Sequence, residues 1–267
     1  MSTSFTGQDL RARNHSMWNF DNIYAHIIGC GAIGSFTAST LARMGVAQFD
    51  LIDPDTVDKE NIGVQDFTFH QLGMHKTAAV AQNIRAINPT TRIVQSKGEF
   101  NETQGRLASL DYVDRHAMSI KHIIVIAVDS MKARLDICQN KSLKSVNMEL
   151  EAQRNAAHYN RNLENRNTVL KNSVLFDARM GSETFQLYKF PLPLVVDDYM
   201  KTWYSDEDGD PEPCSARSTA YCSTFAGSII SSEIKKLFSG GLAAEKIIFG
   251  FPALTIESET DFSVLQK

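Results

Sequence analysis

The sequence contains few cysteines and no long hydrophobic run, and both shortages narrow the class of protein. Four cysteines occur in 267 residues, and no two of them form a Cys-x-x-Cys pair. This spacing argues against a structural zinc site and against a disulfide framework. The longest apolar runs, such as residues 123–128, are far shorter than the roughly 20 residues that a membrane-spanning helix needs. We therefore expect no membrane partner.

The sequence also lacks an excess of positive charge. Lysine and arginine number 27 against 31 aspartate and glutamate residues, which gives a net charge of -4 and an isoelectric point near 6.0. No broad basic field is available to attract nucleic acid, so nucleic acid is not expected as a partner. Residues 1–16 are polar and lack the apolar stretch of a secretion signal, which predicts a cytoplasmic protein.

Short β-branched runs alternate with segments of helical periodicity, a pattern typical of a parallel sheet covered by helices. The first unit comprises a strand at 23–28, a helix at 32–44 and a strand at 49–52. Further helices are predicted at 77–87, 131–148 and 218–238, and further strands at 92–95, 122–128, 173–178, 184–190 and 247–251. The predicted fold class is α/β and Rossmann-like, with a mostly parallel central sheet, helices on both faces and a C-terminal crossover and helix segment.

A glycine turn joins the first predicted strand to the first predicted helix. It reads Gly29-x-Gly31-x-x-Gly34, with Ala32 and Ile33 between the last two glycines. Glycine permits a tight turn and lets the backbone approach a phosphate, and a helix N-terminus favours negative charge. Asp53 ends the next strand, where it can accept hydrogen bonds from a ribose. The turn predicts a bound nucleotide; a turn that only packs the helix onto the strand is the alternative.

Three consecutive parts are expected along the chain. Residues 1–22 form a polar lead-in, and residues 23–194 form a nucleotide-binding core in which 149–172 is a polar helix extension or loop. Residues 195–267 add a crossover loop, a C-terminal helix and a strand that pack on the same domain. The acidic, proline-bearing stretch 195–213 is predicted to be a mobile crossing segment.

A second set of spaced residues follows Asp53. It contains an aspartate pair, an asparagine and a glutamine four residues apart, a Gly-x-x-Lys helix start, an Asn-Pro helix stop and an aspartate followed by an arginine. Its members are Asp53, Asp55, Val57, Asn61, Gln65, Gly73, Lys76, Asn88, Pro89, Asp129 and Arg134. In order and spacing, residues 24–135 resemble the family of ThiF, MoeB, HesA and the adenylation domains of ubiquitin-activating enzymes.

The resemblance implies an ATP-dependent adenylyltransferase that uses magnesium, with 23–194 as its adenylation core. Such an enzyme activates the C-terminal carboxylate of a small ubiquitin-like or sulfur-carrier protein, or of a peptide, as an acyl-adenylate. Family members are usually homodimers. Because this reaction joins two anions, the site needs cations near the phosphates.

The resemblance also assigns roles to single residues. The implied cofactor-binding residues are Gly29, Gly31, Ala32, Ile33, Gly34, Asp53, Asp55, Asn61, Gln65, Lys76 and Asp129. In the implied site, Asp53 binds the ribose and Lys76 is the cation on the triphosphate. Asp129 helps to hold the magnesium nucleotide, and Arg134 supports that part of the site. Taken singly, Lys76 and Arg134 are ordinary helix charges and Asp129 is an ordinary N-cap.

The chain departs from the family pattern at Val64. Family members carry an arginine directly before the glutamine, and a valine side chain cannot donate a hydrogen bond to a phosphate. Either another cation takes its place or the activity is impaired. Arg11 and Arg13 are candidates for a second family arginine, which reaches from the N-terminus into the partner subunit's site.

Cys214 stands where some compact family members carry a catalytic cysteine. It precedes a run of small residues and the pair Ala226-Gly227. A thiolate at a helix N-terminus is favoured by the helix dipole, so Cys214 is a candidate to form a thioester from the acyl-adenylate. The alternative is an incidental cysteine. Cys222 is expected in the core.

Two other functions remain open at this point. A Rossmann oxidoreductase that binds NAD would explain the glycine turn and Asp53, but not Asn61 to Lys76 or Asp129 to Arg134. A non-catalytic member of the ThiF family would explain Val64.

Overall fold

The computed structural model describes residue 20 and residues 22–100, 121–139, 143, 173–208 and 218–260. Several features predicted from the sequence lie outside these residues. They include Arg11, Arg13, the loop at 149–172 and Cys214. None of the helices in the described part of the chain combines the length and the apolar character needed to cross a bilayer.

The centre of the molecule is an eight-stranded sheet. Its first five strands are β1 (Ile23–Ile28), β2 (Gln48–Ile52), β3 (Arg92–Ser96), β4 (Lys121–Ile126) and β5 (Val174–Met180). They pair in parallel in the order β3-β2-β1-β4-β5. The last three strands, β6 (Thr184–Pro191), β7 (Lys246–Gly250) and β8 (Thr255–Glu259), extend the sheet from β5 in antiparallel register. The predicted fold class is confirmed, although β8 was not predicted.

Helices cover both faces of the sheet, as predicted. They are α1 (Ala32–Met44), α2 (Lys76–Ile87), α3 (Met131–Gln139), α4 (Val196–Met200) and α5 (Ala220–Phe238). Alternate residues of β1 divide between the two faces, so that Ile27 packs in the core under α1, α2 and α5, whereas Ile28 packs in the core with α3 and α4. Strands covered on both sides read as continuous apolar runs, which is why β1 and β4 were recognisable.

Most predicted bounds agree with the structure to within two residues, and two of the differences concern segments that contact each other. Strand β4 ends at Ile126, two residues before the predicted end, so Ala127 to Ser130 form a loop before α3. In the described part of the crossing segment, residues 195–208 contain α4 and a 3-10 turn at Asp206–Asp208. The Ser130 hydroxyl donates a hydrogen bond to the Asp206 carboxylate, so the two segments meet.

The strand order reverses direction between β1 and β4. The chain moves outward from β1 to β2 and β3, and then returns to the other side of β1 as β4 and β5. At such a point the following loops diverge and leave a crevice beyond the carboxyl ends of the strands, where ligands bind in open α/β sheets.

Candidate functional site: a nucleotide cleft at the strand ends

A cleft of about 980 Å³ opens at this crevice. The loops after β1, β2, β3, β4 and β5 line it, together with the crossing segment. Most of the predicted site residues lie in its wall, namely Gly29, Gly31, Ala32, Ile33, Asp53, Asp55, Asn61, Gln65, Lys76, Asp129 and Arg134. One cavity therefore contains residues from positions 29 to 134 that the sequence pattern grouped together.

The glycines of the turn have different roles. Gly29 has φ +94°, and a Cβ there would lie 2.5 Å from the carbonyl oxygen of Ala127. A Cβ on Gly34 would lie 1.9 Å from the carbonyl oxygen of Gly29, and Gly34 does not line the cleft. We predicted that Gly34 contacts the cofactor, whereas in the structure Gly34 allows α1 to pack closely on β1.

Gly31 is the glycine that faces the open cleft. A Cβ there would approach only the Gln65 amide, at 4.0 Å. As the N-cap of α1 it has no side chain to bind the first backbone N–H groups of the helix. Such N–H groups form a site for phosphate.

Asp53 is held by the turn opposite it. Its carboxylate accepts hydrogen bonds from the backbone N–H of Cys30 at 2.6 Å and of Asp55 at 2.8 Å. Burial raises the pKa of Asp53 above its usual value, while Lys76 and these two N–H groups act in the opposite direction. The side chain thus joins the loops after β1 and β2 and lies in the cleft wall.

Lys76 is the first residue of α2, and its side chain is 10% exposed. Its Nζ atom lies 2.7 Å from Oδ2 of Asp55, which is 61% exposed. Hydrogen bonds between residues 55–57 and residues 73–76 keep these two side chains together. The Asp55 carboxylate therefore neutralises the predicted phosphate cation in this structure.

Asn61 and Gln65 both line the cleft but differ in what they contact. The Asn61 side chain accepts a hydrogen bond from the Asp58 N–H at 2.9 Å and closes a capping box on a second 3-10 turn, at Lys59–Asn61. The Gln65 side-chain oxygen is buried and has no hydrogen-bond partner among the residues that the structure describes. A buried amide atom without a partner is costly, so Gln65 is a position at which a ligand would add stability.

Asp129 and Arg134 follow β4. Asp129 is an exposed residue of the cleft wall. Arg134 is buried, and its guanidinium donates hydrogen bonds to the Asp177 carboxylate and to the carbonyl oxygens of Val128 and Ile126. Arg134 therefore ties the end of β4 to β5.

Arg179 is a cleft residue that the sequence did not single out. It is buried on β5, donates to Asp177 at 2.6 Å and to the carbonyl oxygen of Thr202 at 2.6 Å, and stacks on Tyr188 at 4.5 Å. Burial acts to lower the pKa of Arg179, but the Asp177 carboxylate raises it above its usual value. The alternation Asp177-x-Arg179 in an otherwise buried strand was the available signal, because buried charges occur in pairs.

Residues 202–206, which we call the strap, cross the cleft edge and were also not singled out. Trp203 Nε1 donates to the carbonyl oxygen of Met131 at 3.0 Å. The Asp206 carboxylate accepts from the N–H of Met131 at 2.6 Å, the N–H of Lys132 at 3.1 Å and the Ser130 hydroxyl at 3.1 Å. The strap thereby caps the N-terminus of α3 from a distant part of the chain.

Acidic side chains outnumber basic ones in the wall of the cleft. The carboxylates are those of Asp53, Asp55, Glu60, Glu99, Asp129, Asp136 and Asp206. The cations are Lys76, Lys132, Arg134 and Arg179. A polyphosphate would therefore need an accompanying cation. The described residues contain no group of three or more His, Cys, Asp or Glu that could hold a metal ion.

The family of the chain follows from its match to a model of a known protein family. Residues 12–186, more than half of the 267-residue chain, match the model of the ThiF family. The chain belongs to the ThiF family. The resemblance inferred from the motif of residues 24–135 is thus confirmed.

Curated relatives of this ThiF family member include ubiquitin-like modifier-activating enzyme 5 from two organisms. The protein of Drosophila simulans is 31% identical over 123 residues, which cover 44% of this chain and 30% of the relative. That of Dictyostelium discoideum is 29% identical over 127 residues, which cover 45% of this chain and 32% of the relative. The chain matches about a third of the length of these relatives.

Solved structures share the fold. Escherichia coli MccB, crystallised with ATP, superposes with a TM-score of 0.57 at 16% identity, covering 95% of this chain and 65% of MccB. PaaA superposes with a TM-score of 0.55 at 16% identity, covering 90% of this chain and 64% of PaaA. At this identity the likeness establishes the common architecture.

Proposed function

We propose that the protein is an ATP-dependent adenylyltransferase that activates the C-terminal carboxylate of a small ubiquitin-like or sulfur-carrier protein, or of a peptide. The observation that carries the proposal is the single cleft that contains Gly31, Asp53, Gln65, Lys76 and Asp129. Family membership supports it, as do the names of the relatives and the MccB structures with ATP and with MccA.

The residues of the cleft suit the two halves of ATP differently. Asp53 accepts the ribose hydroxyls, and the N-terminus of α1 beyond Gly31 takes phosphate oxygens. Lys76 turns from Asp55 toward the triphosphate, at small cost because Asp55 is mostly exposed. Asp129 holds magnesium, which supplies the positive charge that the acidic wall lacks.

In the proposed reaction, an oxygen of the acceptor carboxylate attacks the α-phosphorus of ATP. A new P–O bond joins the acyl group to AMP, and the bond between the α-phosphorus and the bridging oxygen breaks, so that pyrophosphate leaves with the electron pair. Lys76 and the N–H groups of α1 stabilise the charge on the phosphate oxygens. The acceptor tail enters beside the strap.

A non-catalytic ThiF-family protein is the second candidate, and Val64 is the observation that favours it. Val64 lines the cleft at the position of the family arginine. The NAD-dependent oxidoreductase has no comparable support, because the family match accounts for both the glycine turn and the residues beyond Asp53.

Exchange of labelled pyrophosphate into ATP tests the proposal. We expect exchange that depends on a carrier protein with a free C-terminal carboxylate and is absent with the same carrier amidated at its C-terminus. Asp129→Asn should reduce the exchange by about a hundredfold or more. Binding of MgATP without carboxylate-dependent exchange, across a panel of carrier tails, would support the non-catalytic alternative.

The homodimer, the cytoplasmic location and the thioester at Cys214 belong to this proposal. Cys214 has a direct test: a Cys214→Ser variant should convert a thiol-sensitive adduct with the carrier into a thiol-resistant ester. An adduct unchanged by the substitution would remove Cys214 from the reaction.

A further inference from the structure

The proposed reaction leaves one charge without an obvious source. A carboxylate that attacks ATP displaces pyrophosphate, and cations on the departing phosphates lower the barrier. Val64 lines the cleft where the family has an arginine, and its side chain offers neither charge nor hydrogen bond. A cation elsewhere in the cleft is the natural replacement for this contact with the pyrophosphate.

Two of the four cations in the described wall are held by a buried acid. Arg134 and Arg179 both pair with Asp177, which is 0% exposed. Withdrawing either arginine would leave a buried carboxylate less completely neutralised, which is strongly unfavourable. Both guanidinium groups also bind carbonyl oxygens of the fold. Neither arginine can turn to a phosphate cheaply.

Lys132 is in a different position. Its side chain is 82% exposed, and its recorded ion pair is with Asp136 at 3.4 Å, one helical turn away and itself 41% exposed. Exposed pairs of this kind contribute little to stability, so the ammonium can reorient toward a ligand. Its backbone is fixed, because the Lys132 N–H donates to the Asp206 carboxylate.

Lys132 also lies in the wall of the cleft that contains Val64 and Asp129. It is the second residue of α3 and lies three residues after Asp129 in the lining of the same cleft as Val64. The ribose and the inner phosphate are served by Asp53 and the glycine turn, and Lys76 supplies one further cation. A second side-chain cation would act on the outer phosphates beside magnesium.

We propose that Lys132 is a phosphate-binding cation that compensates for Val64 by contacting the pyrophosphate part of the nucleotide. The inference rests on the proposed function for the identity of the ligand as a nucleoside triphosphate. It adds a residue that no position of the family motif assigns.

Calorimetric titration with MgATP and with AMP tests the proposal. Lys132→Ala should weaken MgATP binding by about tenfold to a hundredfold, as expected for a lost charge-assisted hydrogen bond, and leave AMP binding within about twofold. Lys132→Arg should retain MgATP binding. Lys201→Ala is the matched control, because Lys201 forms a similar exposed helix pair with Asp198 outside the described cleft wall.

A double substitution tests the compensation itself. Adding Val64→Arg to Lys132→Ala should restore at least half of the lost binding free energy for MgATP, and Val64→Lys is the second choice if the arginine variant does not fold. Equal MgATP affinity in Lys132→Ala and Lys201→Ala would overturn the proposal, as would failure of both charged residues at position 64 to restore it. A wild-type protein that binds no MgATP would instead refute the proposed function.

Discussion

At the scale of single residues, Gly31 and Gly34 show that one motif contains two kinds of glycine. A Cβ on Gly34 would overlap the carbonyl oxygen of Gly29 at 1.9 Å, whereas a Cβ on Gly31 would meet only the Gln65 amide at 4.0 Å. Gly34 is therefore required for packing, whereas Gly31 leaves room for a ligand.

We expect Gly34→Ala to destabilise the fold by about 3 kcal/mol, or roughly 6–12 °C in Tm, because α1 must shift away from β1. Gly31→Ala should change Tm by much less but weaken MgATP binding about tenfold, because the new methyl group lies where the backbone approaches a phosphate. Thermal melts and titrations of both variants check this. Similar losses of Tm in the two variants would contradict the distinction.

At the scale of secondary-structure elements, α3 receives its cap from the strap. Asp206 lies 75 residues beyond Met131, yet its carboxylate binds the first N–H groups of the helix. Burial acts to raise the pKa of Asp206, but the N–H groups of Met131 and Lys132 and the Ser130 hydroxyl lower it below its usual value. The negative charge also complements the positive end of the helix dipole.

Asp206→Ala should therefore lower the free energy of unfolding by about 1 kcal/mol, the usual effect of losing an N-cap. Glu207→Ala removes the same charge from the neighbouring exposed residue and should have little effect. Urea denaturation at neutral pH measures both. If the two variants lose the same stability, the cap contributes nothing beyond its charge.

The strands β1, β2 and β4 carry a buried polar cluster on the face opposite α1. Nδ1 of His26 lies 3.3 Å from Oδ2 of Asp50, and Nε2 of His26 lies 3.0 Å from Nδ1 of His122. The Tyr24 ring stacks on both histidine rings. Burial, followed by the neighbouring His26, lowers the pKa of His122 to about 3. This cluster makes the stability of the sheet sensitive to acid.

The direction in which stability changes with pH follows from the protons that the folded and unfolded states bind. The unfolded chain protonates His122 near its ordinary pKa of 6.5, whereas the folded chain does not until about pH 3. The unfolded state binds more protons in that window, so the contribution of His122 to stability is present above pH 6.5 and is lost as the pH falls toward 3, by up to about 5 kcal/mol. We expect His122→Asn to flatten the fall in unfolding free energy between pH 6.5 and 4, and the exposed His70→Asn to leave it unchanged. Identical slopes in both variants would refute the assignment.

At the scale of the whole molecule, the reversal of strand order at β1 and β4 decides where a ligand can bind. Five loops that are distant in sequence meet at the carboxyl ends of the strands and line a cleft in which acidic side chains outnumber basic ones. Such a wall accepts a polyphosphate only together with a cation.

MgATP should therefore raise the Tm, with a stabilisation of about 2.7 kcal/mol at a ligand concentration one hundred times the Kd. Chelation of magnesium with EDTA should abolish most of the shift, and NAD should give none. Differential scanning fluorimetry with the three additions distinguishes these outcomes. Stabilisation by NAD but not by MgATP would favour the NAD-dependent oxidoreductase instead.

Local features of the chain were predictable because their physics is local. The strand, glycine turn and helix of residues 23–44 follow from periodicity and from the conformational freedom of glycine, and the structure places all three within the predicted bounds. The end of β4 was misplaced by two residues, because Ala127 and Val128 are as apolar as the strand that they follow. The contacts of Arg179 with Thr202 and of Asp206 with Met131 join residues 23 and 75 positions apart, and no sequence period encodes them.

By itself, the sequence determined that this protein is a Rossmann-like member of the ThiF family, with a glycine turn, an acid at the end of β2 and a lysine at the start of α2. Those features depend on backbone preferences and on spacing within one βαβ unit. Only the tertiary structure decided which charges are available to a ligand. Asp177 binds two arginines in the interior, Asp55 pairs with Lys76 and Asp206 caps α3, because pairing between charges depends on distance in the folded chain and not on separation along it.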